Sequence, residues 1–184
     1  MTKSLLLVGC VLLATLTAAQ TPAPTASGHV YLSDLTPAGT PINGYGPYER
    51  DRSGGEEAAN DGIPLKIGRI TYEKGLGVHA NSDLTFSIDR KYETFNAVVG
   101  LDDELLINEC APQWPGSVIF QVFVDGTKMF DSGVVSVWSP AKTVEVDVRG
   151  KSALRLVVGD AGDGFICDHA DWADAKLKTP RGAP

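Results

Sequence analysis

Basic residues are scarce in this sequence. Lys and Arg total 16 against 23 Asp and Glu in 184 residues, a formal net charge of -7. Without a basic run to neutralise phosphates, nucleic-acid binding is excluded as a function class. No uninterrupted apolar run reaches the roughly 18–20 residues that cross a bilayer, so no transmembrane segment is expected. Apolar residues at helical spacing over roughly eleven or more positions are missing beyond the first segment, which excludes long helices. Cysteine is rare, with three in the chain, and no CxxC spacing supports a zinc site. The chain also lacks GxSxG, HExxH, a P-loop and GxGxxG within a βαβ unit.

What is present begins with an address. Residues 1–19 combine Lys3, an apolar stretch from Ser4 to Leu16 and small residues at Thr17, Ala18 and Ala19. This pattern reads as a secretory signal peptide cut after Ala19, which places the protein outside the cytoplasm, secreted or at the cell envelope. Leu7-Val8-Gly9-Cys10 has lipobox character, but the apolar stretch before Cys10 is short and runs on past it, so lipidation there is the lesser alternative. Cleavage leaves Cys110 and Cys167. In an oxidising compartment two cysteines point to one disulfide closing a long loop, worth roughly 4 kcal/mol. Two free buried thiols are the alternative.

Residues 20–28 are small and proline-punctuated, a short linker. Beyond them the period is two. Leu84, Phe86 and Ile88 alternate with polar neighbours, as do Phe95, Ala97, Val99 and Leu101. Val118, Phe120, Val122 and Val124 lead into Asp125-Gly126, a hairpin turn signal. Val144 to Val148, Leu154 to Val158 and a last run from Trp172 to Leu177 complete the pattern. About nine or ten short strands separated by turns predict an all-β sandwich or barrel. The length suits one such domain over 29–178, followed by a tail at 179–184.

Two stretches break the alternation, Thr36 to Gly62 and Asn108 to Gly116, and both read as loops of the kind that carry binding residues. Asp102-Asp103-Glu104 and the group Asp160, Asp163, Asp168 and Asp171 around His169 gather carboxylates at strand ends. Adjacent carboxylates repel unless donors or a cation sit among them, a mild argument for calcium against a solvated acidic loop. His79 and His169 are candidate ligands, although a lone histidine is more often a hydrogen-bonded residue of the scaffold. Trp114 and Trp138 lie near turns, and Trp172 begins the final strand. Aromatic rings at strand ends suit stacking on a sugar face, with core packing as the competing role.

Seven motifs occur in one order: Tyr31-Leu32-Ser33-Asp34-Leu35, Asn43-Gly44-Tyr45-Gly46-Pro47, Lys74-Gly75-Leu76-Gly77-Val78-His79-Ala80, Val99-Gly100-Leu101-Asp102-Asp103-Glu104, Gly116-Ser117-Val118-Ile119-Phe120, Asp160-Ala161-Gly162-Asp163-Gly164 and Asp168-His169-Ala170-Asp171-Trp172-Ala173-Asp174. Together they resemble the NPCBM family, carbohydrate-binding modules found beside glycoside hydrolases, over residues 29–178. The resemblance implies a galactose-binding-like jelly roll, a structural calcium and recognition of galactose-containing glycans. Tyr45 stands where the family usually has Trp, and a loop from Glu109 to Pro115 carries Cys110.

The expectation is a secreted, non-catalytic glycan-binding module. Tyr45, His79, Glu104, His169 and Trp172 are the candidate sugar contacts. Asp34, Asp171 and Asp174 are the candidate calcium ligands, because the first and last strands of such folds lie side by side and an ion commonly pins their loops. The alternatives are an envelope interaction protein that reuses the fold without a sugar site and, third, a small glycoside hydrolase built on two carboxylates.

Overall fold

The computed structural model describes residues 28–54, 57–107, 110 and 115–180. The expected signal segment 1–19 with Cys10, most of the linker 20–28, Trp114 and the end of the tail lie outside the described residues. In chain order the strands are β1 (His29–Tyr31), β2 (Glu49–Arg50), β3 (Lys66–Ile67), β4 (Ile70–Thr71), β5 (Gly75–His79), β6 (Ser82–Ser87), β7 (Thr94–Leu101), β8 (Ser117–Val124), β9 (Thr127–Ser136), β10 (Lys142–Asp147), β11 (Ala153–Gly159) and β12 (His169–Lys178). Short 3-10 helices at Leu32–Asp34 and Asp103–Leu106 are the helical elements among the described residues.

Two antiparallel sheets face each other. One runs β10-β7-β12-β5-β2, with β1 also paired to β12; the other runs β6-β11-β8-β9. The alternation fixes which side chains meet between them. Phe95, Ala97, Val99 and Leu101 of β7 oppose Val118, Phe120, Val122 and Val124 of β8 as parts of one buried cluster. Leu84 and Phe86 of β6, Val144 and Val146 of β10, and Leu154, Leu156 and Val158 of β11 complete it. The β8–β9 hairpin turns at Asp125-Gly126 with positive φ at both residues, 47° and 81°, as a two-residue primed turn needs. The result is the expected β-sandwich.

β12 departs from the alternating pattern. Ala170, Asp171, Trp172 and Ala173 are buried in succession. The strand lies at the middle of its sheet, between β7 and β5, and the β3–β4 hairpin packs over its outer face. That cover needs close approach. A Cβ on Gly100 would run into the Ile67 side chain. A strand covered on both faces cannot show a half-buried alternation.

Cys110 and Cys167 are joined across a sequence separation of 57 residues, with Cα atoms 5.7 Å apart. The bridge ties the segment leading into β12 to the loop that follows the second 3-10 helix.

Candidate functional site

The loop at Asn43–Gly46 is folded back onto the end of β5. The Asn43 carboxamide accepts from the His79 backbone N–H at 2.8 Å and donates to the Tyr45 carbonyl at 2.7 Å and the Gly46 carbonyl at 3.2 Å. Gly44 donates to the His79 carbonyl at 3.0 Å. Its α-carbon lies so close to the Ala80 backbone that any Cβ would collide with it, which explains glycine here. The loop thereby holds the Tyr45 ring, 41% exposed, with its centroid 5.8 Å from the His79 ring. The Tyr45 hydroxyl donates to Glu57 at 3.0 Å.

His79 and His169 sit directly opposite each other in the β5–β12 ladder. Their rings are 5.2 Å apart. His79 places Nδ1 against the Ala80 carbonyl at 2.8 Å, which assigns that proton to Nδ1 and leaves Nε2 as an acceptor. Burial pushes the His79 pKa down, opposed by the Ala80 carbonyl and reinforced by His169, so the ring is held neutral. His169 Nδ1 bonds Glu104 Oε1 at 2.7 Å, and the other Glu104 oxygen accepts from the Ser53 hydroxyl at 3.2 Å. Glu104 is itself fixed from below, since its backbone N–H donates to Asp102 at 2.8 Å at the start of the second 3-10 helix. The chain Ser53–Glu104–His169–His79–Tyr45 is therefore built from five separate segments and held by hydrogen bonds and ring contacts.

Phe165 adds a second exposed ring, 53% accessible and 6.1 Å from His79. Its loop is anchored at both ends. Asp160 exchanges two hydrogen bonds with the Asn81 side chain, and Asp168 accepts from the Ser117 N–H at 2.9 Å. Asp168 Oδ2 is buried with no partner. Burial raises its pKa to about 7; the Ser117 N–H opposes this, while Asp163 and Asp160 add to it. A carboxyl whose folded pKa lies above its unfolded value binds more protons when folded. Its stabilising contribution is complete below about pH 4 and is lost as pH rises through about 7. The melting temperature is expected to fall between pH 5 and pH 8, and Asp168→Asn is expected to flatten that fall. Melting curves across this range check it, and an unchanged slope in the variant would refute the assignment.

Residues 28–178 match the family model described as the NPCBM/NEW2 domain. The chain belongs to the NPCBM/NEW2 family. A Renibacterium salmoninarum protein named "Putative endo-alpha-N-acetylgalactosaminidase" is 37% identical over 147 residues, 80% of this chain and 9% of that protein. An alpha-1,3-galactosidase B of Akkermansia muciniphila is 30% identical over 118 residues, covering 62% of this chain. The NPCBM/NEW2 chain thus spans only 9% and 14% of the length of these two curated relatives. Among solved structures, the Clostridium perfringens GH95 CBM51 in complex with methyl-galactose is 35% identical with a TM-score of 0.70, covering 82% of this chain and 99% of that one. The CBM51-2 and INT domains of Clostridium perfringens ZmpB, in complex with GlcNAc, give 32% identity and a TM-score of 0.71, over 83% of this chain and 32% of that one.

Of the five sugar contacts expected in this NPCBM/NEW2 domain, Tyr45, His79, Glu104 and His169 come together. Trp172 does not join them. It is fully buried, with its ring edge-on to Phe120 at 5.1 Å and tilted against Phe95 at 6.4 Å. The neighbouring His169 is three residues away on the same strand, but the pleat and the central position of β12 turn the indole into the core. Trp172 is corrected from sugar contact to core residue. Asn43, Ser53, Glu57 and Phe165 belong to the site and escaped the sequence reading. Phe165, an aromatic after Gly162-Asp163-Gly164, was the one with a legible signal.

The three expected calcium ligands are not gathered at one point. Asp34 pairs with Lys74 at 2.6 Å, and Asp174 pairs with Lys176 at 2.6 Å. Asp171 is buried beside Asp102, and burial first, then Asp102 and Glu104, hold its pKa well above the usual carboxylate range. Two neighbouring buried carboxyls disfavour each other's ionisation, and neither Asp171 oxygen has a hydrogen-bond donor in range. Among the described residues no group of three or more acidic, histidine or cysteine side chains is arranged to hold a metal. The side-by-side placement of first and last strands behind that expectation does occur, as the β1–β12 pairing.

Proposed function

We propose that this domain is an exported, non-catalytic carbohydrate-binding module that takes a neutral, galactose-containing glycan on Tyr45, His79, Glu104 and His169. The observation that carries this reading is the pairing of exposed rings with fixed acceptors. Tyr45 and Phe165 offer apolar faces beside the His79 ring. Neutral His79 and the Glu104 carboxylate offer acceptors to sugar hydroxyls. A pyranose has such a dual surface, with C–H groups on one face and hydroxyls at its edge. Family membership and the sugar complexes of the CBM51 relatives support the same reading. The net charge of -7 disfavours anionic glycans. Export rests on the signal-like segment 1–19.

Binding by so small a surface is expected with Kd between millimolar and micromolar. A glycan array followed by calorimetric titration of galactosides checks it. Absence of saturable binding to every neutral sugar, with calcium present, would overturn the proposal in favour of an envelope interaction protein. Sugar release from polysaccharides that disappears in Glu104→Gln would overturn its non-catalytic part.

Calcium enters the proposal only as a structural ion. The buried Asp171 carboxylate has the chemistry to meet a cation, whereas Asp34 and Asp174 would have to exchange lysine partners for one. Excess chelator is expected to lower the melting temperature by several degrees, as removal of any ion bound only to the folded state must. An identical melting curve with and without chelator removes calcium from the account.

A further inference from the structure

The Phe165 ring stands on a loop with little packing of its own. Gly162, Asp163, Gly164, Phe165 and Ile166 are exposed in succession. Gly162 and Gly164 take positive φ, 90° and 99°, so the chain on either side of Asp163 has the backbone freedom of glycine. The Ser117 hydroxyl donates to Asp163 at 2.8 Å, but in the open, where a hydrogen bond adds little. Two residues beyond the ring comes Cys167, half-buried and bridged to Cys110. Both cysteines pack against the buried cluster. Cys110 follows the 3-10 helix Asp103–Leu106, which is fixed by the wholly buried Leu105 and by Asp102 at its start. The bridge therefore hangs an unpacked loop on an anchored segment, and the two carry Phe165 and Glu104.

We propose that the Cys110–Cys167 bridge is a positioning device for the glycan site. It holds Phe165 beside His79, where the ring centroids lie 6.1 Å apart, and thereby sets affinity. The inference rests on the glycan-binding reading above. The bridge acts on Phe165 and leaves the other contacts to their own supports. His79 and His169 are paired through the β5–β12 ladder, Glu104 is held by Asp102, and Tyr45 is held by the bonds of Asn43 and Gly44. An untethered loop must be ordered as the sugar arrives, which weakens binding, whereas a tethered loop is ordered beforehand.

The test is calorimetric titration with a galactoside well below the melting temperature, with the bridge intact and after reduction by a phosphine. The phosphine breaks the S–S bond, takes oxygen from water to become its oxide and leaves two thiols. Reduction is expected to weaken binding about tenfold in the unaltered chain, as is Phe165→Ala with the bridge intact. In Phe165→Ala itself, reduction is expected to change affinity by less than about twofold, because the ring on which the bridge acts is gone. A bridge that merely stabilised the fold would lower the melting temperature alike in both chains and leave their affinities unchanged. The double variant Cys110→Ser, Cys167→Ser is expected to match the reduced protein. Hydrogen exchange without sugar reads the loop directly, and amides of 162–166 are expected to exchange faster after reduction while those of β5 keep their rate. Unchanged affinity on reduction, an equal loss in Phe165→Ala, unchanged exchange at 162–166 or unfolding of the reduced chain overturns this inference alone. Failure of the bridged protein to bind any galactoside overturns the glycan-binding reading and this inference with it.

Discussion

Tyr45→Ala is expected to weaken glycan binding by about thirtyfold, or about 2 kcal/mol, with little change in melting temperature. The ring is 41% exposed and packs beside His79 rather than in the core, so its loss removes contact surface without opening a cavity. Tyr45→Phe separates the ring from its hydroxyl. It forfeits the hydrogen bond to Glu57 and is expected to retain affinity within about threefold. Tyr45→Trp restores the larger face usual at this position of the family motif and is expected to bind more tightly than the unaltered protein. Calorimetry on the three variants decides the matter. Equal affinity in Tyr45→Ala would show that the sugar does not rest on this ring.

Trp172→Ala is expected to destabilise the fold by about 3–5 kcal/mol, among the larger costs a single substitution produces. The indole is wholly buried between Phe95 of β7 and Phe120 of β8, so truncation leaves a void that spans the two sheets. Its Nε1 has no hydrogen-bond partner. Trp172→Phe therefore sacrifices volume but no hydrogen bond, and is expected to cost less and to keep sugar affinity. Denaturant unfolding measures the first effect and titration the second. A Trp172→Phe protein that folds normally but binds no sugar would contradict the burial of this side chain.

Much of the scaffold is legible because half-buried strands write themselves as alternation. Phe95, Ala97, Val99 and Leu101 declare one inward face, and Val118 to Val124 declare the face opposite. The Asp125-Gly126 turn is equally plain, since few residue pairs accept positive φ twice. The short strand β2 lies inside the stretch Thr36 to Gly62 that reads as loop, and β3 and β4, also of two residues each, carry no period. Asp171 illustrates the deeper difficulty. An aspartate between alanine and tryptophan reads as a rim residue, yet it lies under the β3–β4 hairpin, buried beside Asp102. Nothing local to Asp171 announces that cover.

Residue types and their spacing pointed by themselves to an all-β sandwich or barrel, to a bridge between the two later cysteines, and to rings and carboxylates at the loops. Only the tertiary structure decided which of those groups meet. His79 and His169 are ninety positions apart and become neighbours through the register of β5 on β12. Tyr45 joins them because Gly44 lets its loop lie on the Ala80 backbone. Trp172 leaves them because the pleat of β12 puts it on the face opposite His169, against Phe95 and Phe120 between the sheets. Alternation is a property of one strand against water, whereas a binding site is a property of several strands against one another.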